Sequence, residues 1–223
     1  MERSRPSPRN ERTVEISVDS VTVHGILGLP DHPKGIVVFA HGSGSGRFSP
    51  RNQFVAHVLQ DAGFATLLPD LLTEREAESR QNVFDIALLA RRLCAITDWI
   101  RNQPDVRNLP IGYFGASTGA AAALAAAAQE GTLVRAVVSR GGRPDLAVDA
   151  LPKVTAPTLL IVGGYDQPVI ALNEQAYDMI RAPKKLVIVP RATHLFEEPG
   201  ALEEVARLAA DWFDQYLPKR AAA

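Results

Sequence analysis

The stretch Pro110 to Ala122, reading Pro-Ile-Gly-Tyr-Phe-Gly-Ala-Ser-Thr-Gly-Ala-Ala-Ala, constrains this chain more than any other. Ile111 to Phe114 is a short apolar and aromatic run suited to a buried strand, and Ala120 to Ala128 is almost pure helix former. Between them, Gly115-Ala116-Ser117-Thr118-Gly119 fits the pattern G-x-S-x-G. In that pattern a serine sits on a strained strand-to-helix turn with its hydroxyl projecting from the end of a sheet. Gly115 and Gly119 are expected there because a side chain on either would collide with the neighbouring strand or helix as the chain doubles back. The helix that follows aims unpaired N–H groups and a partial positive charge at the same place. The blander alternative is a glycine-rich turn with a helix-capping serine.

Around this stretch, strand and helix patterns alternate. Thr13 to Val18 and Val21 to Leu29 alternate apolar with polar residues across Asp19-Ser20, as an antiparallel hairpin at a sheet edge does. Gly35 to Ala40 is continuously apolar, which suits a strand covered on both faces. Further strands are expected at Ala65 to Leu68, Val134 to Val138, Thr158 to Val162 and Lys185 to Val189. Helices are expected at about Arg51 to Ala62, Asp85 to Gln103, Asn173 to Ile180 and Ala201 to Tyr216. Such an alternation implies an α/β fold, a doubly wound and mostly parallel sheet of about eight strands with helices on both faces and no large cap domain. The expected organisation is a loose N-terminal tail over 1–12, one domain over 13–217 and a frayed tail over 218–223.

Ligands of such sheets bind beyond the C-terminal ends of the strands. The polar residues there are His41-Gly-Ser-Gly-Ser-Gly46, Ser117, Arg140-Gly-Gly-Arg143, Gly163-Gly-Tyr-Asp166 and Arg191-Ala-Thr-His194. Serine becomes a nucleophile when a base takes its proton and an acid fixes the tautomer of that base. Ser117, Asp166 and His194 follow one another in the chain order Ser…Asp/Glu…His, acid and base each after a late strand. The other histidines are poorer candidates: His24 lies in the early hairpin, His32 beside prolines and His57 on a helix. His41 is at the rim and reads as a brace for its glycine loop. An oxyanion needs N–H donors from the residue after the nucleophile and from the loop after the third strand. Thr118 supplies the first and Ser43 the second, ahead of Gly42 and Gly44. Arg140, Arg143 and Arg47 on the same rim are candidates to bind an anionic group of a substrate, or else pair with acids such as Asp145.

The bulk properties exclude several classes. A chain of 223 residues suits one core. Its 24 basic and 25 acidic residues nearly cancel, so neither nucleic acid nor an anionic membrane is an expected partner. The single cysteine, Cys94, permits no internal disulfide and fits a cytoplasmic location. Residues 1–12 lack the apolar core of a signal peptide, and no apolar run is long enough for a membrane span. Gly42-x-Gly44 fails as a dinucleotide fingerprint because Arg47 stands where the third glycine belongs, and no phosphate-loop or zinc spacing is present. No cofactor and no metal are expected, and the expected partner is a small-molecule ester.

These motifs give the chain a resemblance to the α/β-hydrolase superfamily, and most closely to dienelactone hydrolases. It rests on His41-Gly-Ser-Gly44, Gly115-x-Ser117-x-Gly119, Thr158-Leu-Leu-Ile-Val-Gly-Gly-Tyr-Asp166 and Ala192-Thr-His194, and spans about Thr13 to Tyr216. The resemblance implies a hydrolase acting on a small ester or lactone. Dienelactone hydrolases proper carry a cysteine nucleophile where this chain has Ser117, so a serine esterase is the expected activity. The stretches Gly44 to Arg47, Ser49 to Asn52 and Ser139 to Pro144 also resemble a subgroup joined to phosphoribosyltransferase domains. The rival class is a non-catalytic binding protein on the same fold, against which the intact Ser-His-Asp set argues.

Overall fold

The computed structural model describes residues 10–217. Eight strands form one sheet: β1 (Glu11–Val18), β2 (Val21–Gly28), β3 (Ile36–Ala40), β4 (Ala65–Pro69), β5 (Ile111–Ala116), β6 (Val134–Arg140), β7 (Thr158–Gly163) and β8 (Lys184–Val189). Their spatial order is β1-β2-β4-β3-β5-β6-β7-β8. The first two strands pair antiparallel at one edge, and β4 to β8 run parallel with β3 among them. β1 starts two residues earlier than its alternation suggests. Arg12 is held in register opposite Leu27 while its side chain reaches Asp105 at 2.6 Å. Otherwise the expected tails, 1–12 and 218–223, lie almost wholly outside the described residues.

Successive residues of each strand face opposite layers. Val37, Phe39, Phe114, Val138 and Ile161 pack with Val55 and Leu59 of α1 (Pro50–Asp61) and with Val205 and Phe213 of α7 (Ala201–Tyr216). Ile36, Val38, Tyr113, Val137 and Leu160 pack on the other face with α4 (Ile86–Arg101), α5 (Thr118–Glu130) and Ala176 of α6 (Gln167–Met179). The alanines of α5 follow from this packing, because eight of its residues from Ala120 to Ala127 include seven buried ones and small side chains let the helix lie close to the sheet.

Two differences from the sequence pattern have local causes. α6 begins at Gln167, well before Asn173, because Pro168 falls in the first helical turn, where a missing N–H goes unnoticed. Two four-residue helices, α2 (Glu74–Ala77) and α3 (Arg80–Val83), follow β4 where no helix is expected. A capping box makes the first of them: Thr73 Oγ accepts from the Glu76 N–H, and the Glu76 carboxylate accepts from the Thr73 N–H. The other Glu76 oxygen takes a 2.7 Å bond from buried Arg92 on α4.

The winding direction changes between β3 and β5. The chain leaves β3 toward β4 on one side and later returns to place β5 on the other. A crevice opens at such a switch point, outside the carboxyl ends of the strands.

Candidate active site

Ser117 stands at this switch point with φ 52° and ψ −121°, between the last residue of β5 and the first of α5. Its backbone is fixed from both sides: its N–H donates to the Arg140 carbonyl at 3.2 Å, and its own carbonyl accepts from Ala120 and Arg143 at 3.1 Å each. The flanking glycines answer to sterics. A β-carbon on Gly115 would run into the backbone of Ala120, and one on Gly119 into the carbonyl oxygen of Ala40. Helix and strands therefore close on the serine to a distance that only glycine permits.

The loops after β7 and β8 bring two more of the expected residues to this point. His194 Nε2 lies 3.3 Å from Ser117 Oγ, and His194 Nδ1 lies 2.6 Å from Asp166 Oδ2. Asp166 is the N-cap residue of α6, yet its side chain makes no capping bond, since the carboxylate is turned to the imidazole. The histidine loop is shaped by Arg191 and Phe196, both with positive φ, and tied by the Glu198 carboxylate, which accepts from the Thr193 N–H at 3.0 Å. The Thr193 hydroxyl, together with this N–H, holds the Glu198 carboxyl below its ordinary range.

The glycine-rich loop after β3 is held by its neighbours. The Nδ1–H of His41 donates to the Gly42 carbonyl at 3.1 Å, and its Nε2 accepts from the Leu71 N–H at 3.0 Å, which fixes the neutral tautomer. Burial lowers the pKa of His41 below its ordinary 6.5. Asp70 accepts from the Arg47 N–H at 2.8 Å and pairs with the Arg47 guanidinium. The loop after β3 and the loop after β4 are thus joined by three side-chain bonds. Thr118 N–H, in the first turn of α5, has no helical partner. The Ser43 N–H, by contrast, already donates to Thr118 Oγ1 at 2.9 Å.

The rim arginines separate. Arg143 is engaged by Asp145 through two bonds of 2.8 and 2.7 Å, and Arg47 by Asp70, so each of these guanidinium groups already has an acid of its own. Arg140 is 8% exposed and has no ion-pair partner among the described residues. Beside the glycine-rich loop after β3 lies a cavity of about 410 Å³ whose lining includes Ser43, Thr118, Phe48, Leu72, Val83 and Leu89.

Several supporting residues escape the sequence reading: the Thr118 hydroxyl, the Asp70 carboxylate, and Asn173, whose buried amide donates to the Gly142 carbonyl at 3.0 Å. Each acts across a long sequence separation without a motif. Among the described residues no three His, Cys, Asp or Glu side chains cluster as metal ligands, and no helix is long and apolar enough to cross a membrane.

An open, mostly parallel eight-stranded sheet with a serine on the sharp turn after β5 defines an α/β-hydrolase fold. The family model of dienelactone hydrolases matches residues 23–217, and the chain belongs to that family. A crystal structure of a dienelactone hydrolase from Anabaena variabilis superposes with a TM-score of 0.92 at 59% identity, over 95% of this chain and 99% of that one. Est1E from Butyrivibrio proteoclasticus shares the fold at a TM-score of 0.79 and 17% identity, covering 91% and 98% of the two chains. Two Mycobacterium tuberculosis proteins, from strains CDC 1551 and H37Rv, are 60% identical over 210 residues, which is 94% of this chain and 47% of each relative. Both bear the name "Putative phosphoribosyl transferase". The chain spans about half the length of these curated relatives.

Proposed function

We propose that the protein is a serine carboxylic ester hydrolase that acts on a small ester or lactone through an acyl-enzyme. The observation that carries this reading is the continuous line Asp166–His194–Ser117, with contacts of 2.6 and 3.3 Å, at a serine with strained backbone. Ser117 Oγ attacks the carbonyl carbon while His194 Nε2 takes its proton. The bond to the leaving oxygen breaks as His194 returns that proton to it. Water, deprotonated by the same imidazole, then attacks the acyl carbon; Ser117 recovers its proton and the acid departs. Asp166 holds the imidazole by Nδ1 and stabilises its cationic form.

The negative charge on the carbonyl oxygen is met by the Thr118 N–H and the Ser43 N–H. The second must turn from, or be shared with, the Thr118 hydroxyl as the oxyanion forms. The 410 Å³ cavity lined in part by those two residues receives an apolar substituent of the ester. Membership of the dienelactone hydrolase family supports hydrolysis. The transferase in the name of the tuberculosis relatives belongs to proteins about twice as long and is not carried over.

A fluorophosphonate probe tests the reading. Stoichiometric labelling of Ser117, prevented by Ser117→Ala and accompanied by turnover of 4-nitrophenyl esters, is the expected result. A folded protein that takes no label and turns over no ester is instead a binding protein on this fold.

A further inference from the structure

The line Asp166–His194–Ser117 has two ends that come from different elements, Ser117 after β5 and Asp166 after β7. A misplacement of about 1 Å between groups held in this way costs roughly a hundredfold in rate. The stretch Arg140 to Arg143 lies between the two ends. Its first and last residues grip the nucleophile: the Arg140 carbonyl accepts the Ser117 N–H at 3.2 Å, and the Arg143 N–H donates to the Ser117 carbonyl at 3.1 Å. Gly141, at φ 51°, donates its N–H to the Ile161 carbonyl of β7 at 2.7 Å. It also stands against the base, since a β-carbon there would lie 3.2 Å from the His194 carbonyl oxygen and 3.5 Å from the imidazole.

Those three bonds run from backbone to backbone. The Gly142 carbonyl is held differently, by the side-chain amide of Asn173 at 3.0 Å. Asn173 is fully buried on α6, seven residues after Asp166, so the acid and the amide stand two turns apart on one side of the same helix. The amide nitrogen also donates to the Val169 carbonyl at 2.8 Å, which fixes its orientation. Its Oδ1 is buried without a partner among the described residues. A buried amide is unfavourable unless its groups are used, so what this side chain contributes is its donors. On the opposite side, a β-carbon on Gly142 would run into the Ser139 hydroxyl and the Ala120 side chain. The loop is therefore pressed on β6 and α5 and hooked from α6.

We infer that Asn173 is a positioning residue: by hooking the Gly142 carbonyl to the helix that carries Asp166, it sets the spacing between acid and nucleophile and so the alignment of His194 between them. The inference rests on the hydrolase reading above. Asn173 acts through the 140–143 loop and touches none of the reacting atoms.

The test compares Asn173→Leu, Asn173→Gln and Ala176→Gly with the parent in turnover of 4-nitrophenyl acetate, rate of fluorophosphonate labelling, and Tm. Ala176 is buried on the same helix and its side chain bonds nothing, so its glycine variant loosens α6 without unhooking the loop. Asn173→Leu should lower kcat and the labelling rate together by roughly 10- to 100-fold, with KM within about twofold of the parent. Asn173→Gln, which keeps the donor on a longer arm, should lose less. Ala176→Gly should lower Tm and leave kcat close to that of the parent. In Asp166→Ala, where no acid remains to be placed, adding Asn173→Leu should lower kcat by a smaller factor than it does in the parent. The inference is overturned if folded Asn173→Leu keeps kcat within about twofold of the parent or loses only in KM. It is equally overturned if Ala176→Gly loses as much kcat at an equal drop in Tm, or if the Asn173→Leu factor is undiminished in Asp166→Ala. Should Asn173→Leu fail to fold, Asn173→Ser, too short to reach the Gly142 carbonyl, is read by the same criteria. Each of these results leaves the hydrolase reading standing where the parent labels at Ser117 and turns over ester; a parent that does neither overturns that reading and this inference with it.

Discussion

Ser117 keeps a positive φ that a non-glycine residue avoids, and it keeps it because three backbone hydrogen bonds and two glycine contacts leave no alternative. Such a position is built for the side chain it carries. On the ester-hydrolase reading, Ser117→Ala and His194→Ala each lower kcat by roughly a million-fold and Asp166→Ala by less, since the three act as a unit. Steady-state rates of the folded variants check this, and substantial turnover by Ser117→Ala would remove the serine from the mechanism. His41 makes a different prediction. Its Nε2 must stay unprotonated to accept from Leu71, and burial holds its folded pKa below the ordinary 6.5. The unfolded chain therefore binds the extra proton first, so this contribution to stability is full above about pH 6.5 and fades as pH falls toward the folded pKa. His41→Gln should be less stable at neutral pH yet lose less stability than the parent between pH 7 and 5, as read from denaturant midpoints. Equal pH slopes in the two proteins would contradict it.

At the scale of elements, the joint between β3, β5 and α5 is set by backbone contact. Gly119→Ala drives a methyl into the Ala40 carbonyl and should destabilise the fold by about 1–3 kcal/mol or more, as overpacking does; a change under about 0.5 kcal/mol would show that the joint yields. The same joint carries the bond from Ser43 N–H to the Thr118 hydroxyl. Thr118→Ser should keep activity near that of the parent, whereas Thr118→Val removes one of the bonds that hold the glycine loop and should lower kcat/KM by up to about tenfold, the worth of one net hydrogen bond. Equal activities for the valine and serine variants would mean that the hydroxyl does not position the loop. These elements also mark how far the letters could be read. Strand period, helix formers and G-x-S-x-G place β3 to β8 and put Ser117, Asp166 and His194 on one rim, because each signal is local and the topology of alternating elements does the rest. The start of α6 is obscured by Pro168, which reads as a breaker and acts as a first-turn residue. The helices α2 and α3 have no buried residue to give a periodic pattern. Which rim arginine would remain without an acid depends on Asp145 and Asp70, and pairing across loops leaves no trace in spacing.

For the whole molecule, the cleft is asymmetric: an apolar cavity over the β3 and β4 side, and unpaired positive charge on the β6 side. Acyl chains that fill the cavity should gain about 0.8 kcal/mol per methylene, roughly three- to fourfold in kcat/KM, until its 410 Å³ is occupied. Val83→Trp should shorten the preferred chain. A series of 4-nitrophenyl esters reads both effects, and a flat dependence on chain length would place the acyl group elsewhere. The bonds from His41 to Leu71 and from Asp70 to Arg47 give this cavity a further property. They join the cavity wall to the loop that carries Ser43, so on the ester-hydrolase reading occupancy at one end would be felt as alignment at the other. A longer chain should then quicken the chemical step and raise kcat as well as lower KM. Cutting that link with Asp70→Asn should turn the enzyme into one that still grips long chains but no longer reacts faster for having done so.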